Sequence, residues 1–217
     1  MLATGLATGG VLMMGFTVYL IWQSRFDTSA FNKTVLNEKF ISPKKNDWLL
    51  TQGAVMKDDG LFQLQHHHSG RSIWRRQSFT DVYFSADVIK VNGPNDVAFG
   101  IIARASDTKY KNFYYLQING NGYFVMGKHS QGKWHNKIGW KKSNLIKRGN
   151  NKNNPNRLRL VCKGNLIMGF INNEMVGSFI DQSFSSGKVA VESGGGKGNA
   201  VAVYFDNIII KEKGKKD

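Results

Sequence analysis

From about residue 47 onward the chain is divided into short runs in which apolar and polar side chains alternate, and this period of two most narrows the fold. Phe79, Val82, Phe84, Ala86 and Val88 form one such series, and Val201, Val203 and Phe205 another. Side chains on a strand point to opposite faces in turn, so a series of this kind hides one face and wets the other. Runs of this character are expected at 48–51, 61–65, 72–76, 82–91, 97–104, 113–119, 123–128, 134–140, 157–162, 166–171, 175–180, 188–192 and 200–210. Between them stand Asn119-Gly120-Asn121-Gly122, Gln131-Gly132, Lys163-Gly164-Asn165 and Asn172-Asn173. These residues tolerate positive φ and read as hairpin turns. With 24 glycines against 3 prolines, the economical solution is two antiparallel sheets packed face to face. The roughly 190 residues after the N-terminal segment suit one large all-β domain.

The first 24 residues carry no charged side chain. At about 1.5 Å per residue, Leu2 to Trp22 is long enough for roughly 30 Å of hydrocarbon, which predicts a transmembrane helix over 1–24. Tyr19 and Trp22 fall where an interfacial aromatic belt would lie, and Gly5 and Gly9 have the spacing of close helix contacts in lipid. A cleaved signal peptide would need a basic start and a small-x-small site, whereas here the start is uncharged and the apolar run ends in Leu20-Ile21-Trp22-Gln23. Residues 25–46 read as a polar connector able to return a first strand to the sheet, 47–211 as the sandwich and 212–217 as a basic tail. Arg25, Lys33 and Lys39 follow the helix, and the positive-inside rule alone would hold the domain in the cytoplasm, although long folded domains are exported regardless of charge.

Thirty Lys and Arg against 15 Asp and Glu give a net charge of +15. This suits an anionic neighbour such as lipid headgroups, acidic glycan or nucleic acid, although the cations read as spread along the chain rather than gathered in one stripe. The lone Cys162 excludes an intramolecular disulfide, and its place in Leu158-Arg159-Leu160-Val161-Cys162 predicts a small buried hydrophobe, not a nucleophile.

A family resemblance enters in the second half of the chain. Phe99-Gly100-Ile101-Ile102-Ala103-Arg104, Phe113-Tyr114-Tyr115-Leu116-Gln117-Ile118, Gly132-Lys133-Trp134, Asn156-Arg157-Leu158-Arg159-Leu160, Ser183-Phe184-Ser185-Ser186-Gly187-Lys188-Val189 and Phe205-Asp206-Asn207-Ile208 follow in order. Together they resemble the concanavalin-like and laminin-G-like jelly rolls, in particular the bacterial 3-keto-disaccharide hydrolase-like branch. The resemblance implies a curved two-sheet jelly roll, sugar binding or adhesion, glycoside chemistry in some relatives, and an extracytoplasmic domain. Fold alone assigns no chemistry.

Glycoside hydrolysis ordinarily takes two carboxylates on one sugar, and the chain contains no Glu-x-Asp-x-Glu pattern. Asp58, Asp59, Asp206 and Glu192 read as turn or loop acids, so no catalytic residue is assigned. His66 and His68 could share a strand face, but no Cys or spaced carboxylate completes a metal set. No cofactor is expected. Calcium stays open, because some jelly-roll relatives bind it through loop acids such as Asp58, Asp59, Asp96 and Asp107. Arg104, Tyr110, Tyr114, Tyr123, His129, Trp134 and Trp140 form the candidate binding set, since rings stack on the apolar faces of sugars while Arg and His bind hydroxyls or anions. The competing use of these rings is packing between the sheets. Nucleic acid is disfavoured, because no recognition motif accompanies the charge. The expected function is a membrane-anchored recognition domain for a glycan, a cell-envelope polymer or a protein partner. The alternatives are a glycoside hydrolase and a non-catalytic accessory subunit of a membrane complex.

Overall fold

The computed structural model describes residues 26–40, 47–50, 54–56, 62–66, 70–74, 76–106, 111–196 and 199–214. The expected transmembrane helix lies outside them. Among the described residues no helix is long and apolar enough to cross a membrane. Residues up to Ala30 separate from the rest of the chain, and within that first unit Asp27 accepts hydrogen bonds from the backbone and hydroxyl of Ser29.

From Phe31 onward the described residues are strand and turn. The strands are β1 (Lys33–Glu38), β2 (Trp48–Leu50), β3 (Ala54–Met56), β4 (Phe62–His66), β5 (Gly70–Trp74), β6 (Val82–Asn92), β7 (Phe99–Ala105) and β8 (Phe113–Ile118). They continue as β9 (Tyr123–Ser130), β10 (Lys133–Lys142), β11 (Asn156–Lys163), β12 (Leu166–Ile171), β13 (Glu174–Ile180), β14 (Lys188–Ser193), β15 (Gly195–Gly196) and β16 (Asn199–Glu212). One sheet runs β13-β12-β11-β6-β16-β4-β3, with β1 and β15 also paired to β16; the other runs β10-β9-β8-β7-β14-β5-β2. Neighbours pair antiparallel, as in β11 with β6 and β8 with β9, so the described residues from Phe31 onward form an all-β two-sheet sandwich. Strands adjacent in a sheet but distant in sequence, β6 beside β16 and β7 beside β14, carry the crossovers of a jelly roll.

The turns form for the reason their composition suggests. Asn172 and Asn173 stand at φ 50° and 74°, and Gln131 and Gly132 at 51° and 78°. Two successive left-handed residues match the twist of a tight hairpin. Between the sheets, Phe84, Leu160 and Phe205 from one side meet Ile101, Leu116 and Val191 from the other, all with no exposed surface. Each large apolar side chain so buried contributes roughly 1.5–3 kcal/mol. Cys162 belongs to this core, and burial pushes its thiol pKa up to about 12, which suits a packing residue rather than a nucleophile.

The sandwich extends beyond its expected limits. β1, within the expected connector, pairs with the last residues of β16, and Lys33 Nζ lies 2.6 Å from Glu212 Oε1. Glu212, the first residue of the expected tail, therefore ends a strand.

Candidate functional site

The outer face of the second sheet, turned away from the core, gathers side chains that the interior does not need. On β8 the parity is clear: Tyr114, Leu116 and Ile118 point into the main core, while Phe113 and Tyr115 belong to a separate buried cluster with Ile102, Ala105, Val125 and Ala190. Gln117 follows Tyr115 by two, and Glu192 follows Ala190 by two, so the same pleat places both on this outer face. Gln117 Nε2 donates to Glu192 Oε2 at 2.6 Å. Glu192 is 1% exposed, so this floor is a fixed amide–carboxylate pair.

β10 supplies the wall. Trp134 meets Tyr115 edge-on at 4.9 Å, and the Tyr115 hydroxyl donates to Asn136 Oδ1 at 2.6 Å. Burial, and secondarily the negative Glu192, raise the Tyr115 pKa, which keeps the phenol a neutral donor. Gly127 allows β10 to come this close, because a Cβ there would lie 2.9 Å from the Tyr115 hydroxyl and collide with the His135 carbonyl. His129 stacks on Phe113 at 4.9 Å and meets Trp134 at 4.8 Å. Its Nδ1 lies 2.7 Å from the Lys111 carbonyl, a partner that can only accept, so Nδ1 carries the proton of that bond. Between these groups and Trp140 lies a cleft of about 350 Å³. Tyr115, Gln117, Trp134, Asn136, Trp140 and Glu192 all line it.

The candidate residues divide between this face and the interior. His129, Trp134 and Trp140 are brought to the face, and Tyr123 shares its parity at the start of β9, opposite Lys142. Arg104 and Tyr114 sit elsewhere, holding the turn between β13 and β14. Arg104 donates from Nε to the Thr80 carbonyl at 2.7 Å and from a terminal nitrogen to the Phe184 carbonyl at 3.0 Å. The Tyr114 hydroxyl donates to Asp181 Oδ1 at 2.9 Å and accepts from the Phe184 backbone at 3.2 Å. Asp181 also takes Lys128 at 2.8 Å and Lys137 at 3.2 Å. Burial acts to raise the Asp181 pKa, but hydrogen bonds from Lys128, Ser183 and Tyr114 outweigh it and hold the carboxyl well below the usual carboxylate range. Tyr110 lies outside the described residues.

Sequence reasoning passed over Tyr115, Gln117 and Asn136 and read Glu192 as a turn acid. The missing signal was parity, since adjacent residues on one strand cannot serve the same face, so Tyr115 and not Tyr114 stands with Trp134. Among the described residues no three His, Cys, Asp or Glu come together as a metal set. Of the loop acids considered for calcium, Asp58, Asp59 and Asp107 lie outside the description.

No curated protein sequence matches the chain. The fold is shared with carbohydrate-binding module CBM66 from Bacillus subtilis at TM-score 0.64 and 18% identity, covering 76% of this chain and 96% of that one. A Bacillus subtilis protein with a galectin-like fold matches at TM-score 0.65 and 13% identity, covering 85% and 98%. The Bacillus licheniformis beta-glucanase matches at TM-score 0.61 and 11% identity, covering 84% and 99%. Residues 22–211 match the 3-keto-alpha-glucoside-1,2-lyase-like domain, and the chain belongs to that family.

Proposed function

We propose that the outer face of the second sheet binds a saccharide and that the chain acts as a recognition domain. The observation that carries this reading is the pair of indoles on β10. Trp134 and Trp140 are 47% and 44% exposed and line one cleft with a floor of fixed hydrogen-bonding groups. Large aromatic surface left in water is costly unless it is used, and flat rings above a polar floor suit the two sides of a sugar. The rings stand six positions apart, up to roughly 20 Å at about 3.3 Å per residue, so the ligand is a chain of sugars rather than one.

Charge points to an acidic chain. Between Thr108 and Asn173 there are thirteen Lys and Arg and no Asp or Glu, and Lys133, Lys141 and Lys142 lie on β10, the strand that carries both indoles. The uncharged first 24 residues support a single membrane anchor, and the family's saccharide chemistry supports display outside the cytoplasm. Protease treatment of intact cells tests that side: digestion supports it, and protection that ends only on lysis overturns it.

A glycan array probed with the full chain tests the binding. Acidic oligosaccharides should be retained, and Trp140→Ala with Trp134→Ala should cost about tenfold or more in affinity, as loss of ring stacking does elsewhere. Retention unchanged by both substitutions would remove the proposal.

Glu192 favours a second reading, catalysis of the kind named by the family. An elimination beside a ketone needs one base to take the proton while the glycosidic oxygen leaves, whereas two-carboxylate hydrolysis needs a second acid. Glu192 is the one acid among the described residues lining the cleft. Turnover of a 3-keto-disaccharide that disappears in Glu192→Gln would establish this reading, and absence of turnover in the unaltered chain would set it aside.

A further inference from the structure

At the end of the sandwich a second pocket of about 260 Å³ opens between the end of β6, the end of β8 and the loop after β10. Its floor is apolar and buried, with Phe99, Ile118 and Ile146 at 2%, 0% and 6% exposure. Its rim carries Lys90, Lys147 and Arg148, and no Asp or Glu lines it. The pocket is therefore positively charged and has no carboxylate, the inverse of a cation site.

Its walls are built independently of any ligand. Asn156 clamps the basic loop from β11, since its Oδ1 accepts the Lys147 backbone N–H at 2.9 Å and its Nδ2 donates to the Lys147 carbonyl at 2.8 Å. The Asn121 backbone donates to the Asn95 carbonyl at 3.2 Å, and Gly120 lets Asn95 approach so closely that a Cβ there would stand 2.6 Å from its Oδ1. Asn119 uses its Oδ1 to accept the backbone N–H groups of Asn121 and Tyr123, both at 3.1 Å. Its Nδ2 has no hydrogen-bond partner among the described residues, and the residue as a whole is 8% exposed. Asn119 lines the pocket, so this N–H is open to a ligand that enters it. Nor does Lys90 or Arg148 form an ion pair among the described residues.

We propose that this pocket is a second binding site, distinct from the indole cleft, for an oxyanionic group: a carboxylate, a sulfate ester or a phosphate ester. Asn119 Nδ2 and Arg148 donate to its oxygens, Lys90 supplies charge, and the apolar floor seats the carbon skeleton that bears it. Two sources share this chemistry, an acidic sugar and a free inorganic anion.

The test is a titration of the purified full chain, with the Asn119 side-chain amide followed in two-dimensional 1H–15N spectra at constant ionic strength. Sodium glucuronate, sodium sulfate and neutral glucose are the three probes. Glucuronate, sulfate or both should give a saturable shift at Asn119 and Gly149, and which anion binds more tightly identifies the source. Lys90→Ala and Arg148→Ala should each weaken it about tenfold, the scale of one charge-assisted hydrogen bond. Arg148 is exposed and Lys90 half-buried, and neither forms an ion pair among the described residues, so the fold is retained. Trp140→Ala should leave the response unchanged, which separates this site from the cleft. No saturable shift, an equal shift with glucose, or affinity untouched by both substitutions would overturn the site.

Discussion

The turn between β13 and β14 and the outer face of the second sheet use the same kinds of side chain to opposite ends. At the turn, Arg104, Tyr114, Lys128 and Asp181 are spent on one another and on backbone carbonyls. On the face, Tyr115, Asn136, Gln117 and Glu192 are also paired, but their pairs form the floor of a cleft whose indole walls stay in water. A polar group enclosed by partners holds the fold, and one fixed beneath an open ring is ready for a ligand. The comparison implies that substitutions at the turn cost stability and substitutions on the face cost binding.

The sharpest way to break that contrast is Arg104→Ala. Arg104 is 1% exposed. Truncation leaves the Thr80 and Phe184 carbonyls without their donor and leaves a void, while the Asp81 carboxylate keeps Lys213 and the Gly164 backbone N–H. Two hydrogen bonds from a charged donor, at about 1.5–3 kcal/mol each, put the cost at about 3–5 kcal/mol. Urea unfolding should show a midpoint lowered accordingly, with glycan affinity intact in the folded fraction. A stable Arg104→Ala variant that had lost binding would place Arg104 with the ligand after all.

Asp181→Asn should cost about 2 kcal/mol at pH 7, the scale of a lost hydrogen bond to a charged group, and its effect should depend on pH. The folded carboxyl titrates below the unfolded value of about 3.9. Its stabilisation is therefore complete above the unfolded value and is lost as pH falls through the folded one. Unfolding midpoints of the two proteins should differ at pH 7 and converge below about pH 4. A gap that stayed constant with pH would show that Asp181 acts through shape and not charge.

How much of this could be read in advance follows from where strand parity holds. β12 was bounded correctly because Leu166–Ile171 sits between the turns at Gly164 and Asn172-Asn173. β1 was foreseen only as a first strand that the connector could return to the sheet, without bounds, because a register irregularity between Thr34 and Leu36 breaks the alternation that would mark it. The same physics misplaced Arg104. Counting by twos from Ile102 puts it on the outer face, but β7 has a register shift opposite Lys188 and Ala190, and Arg104 stands at φ 53°. The irregularity turns the side chain toward Phe184. The charge was read from the cations alone, whereas the sharper local signal is the absence of Asp and Glu from 108–173. Hairpin turns, by contrast, need only local residues, and those expected at 119–122, 131–132, 163–165 and 172–173 each join paired strands.

Gly132 separates backbone from side chain in the hairpin that presents Trp134. It stands at φ 78°, and a Cβ there would meet nothing within 4 Å. Gly132→Ala should therefore cost about 1 kcal/mol purely from left-handed backbone strain. A cost well above this would mean that the turn is packed against something beyond the described residues.

The smallest expected stability change tests the face most directly. Trp140 is 44% exposed and forms no ring contact among the described residues, whereas Trp134 leans on Phe113, Tyr115 and His129. Trp140→Ala should thus shift the unfolding free energy by no more than about 0.5 kcal/mol, the usual range for a surface site, while Trp134→Ala should cost more because three ring contacts go with it. The two indoles would then separate by function as well as by packing: loss of affinity at both positions, and loss of stability at one. If Trp140→Ala destabilised the protein by 2 kcal/mol or more, the ring would be holding the sandwich together, and an open platform would no longer explain why a tryptophan stands there.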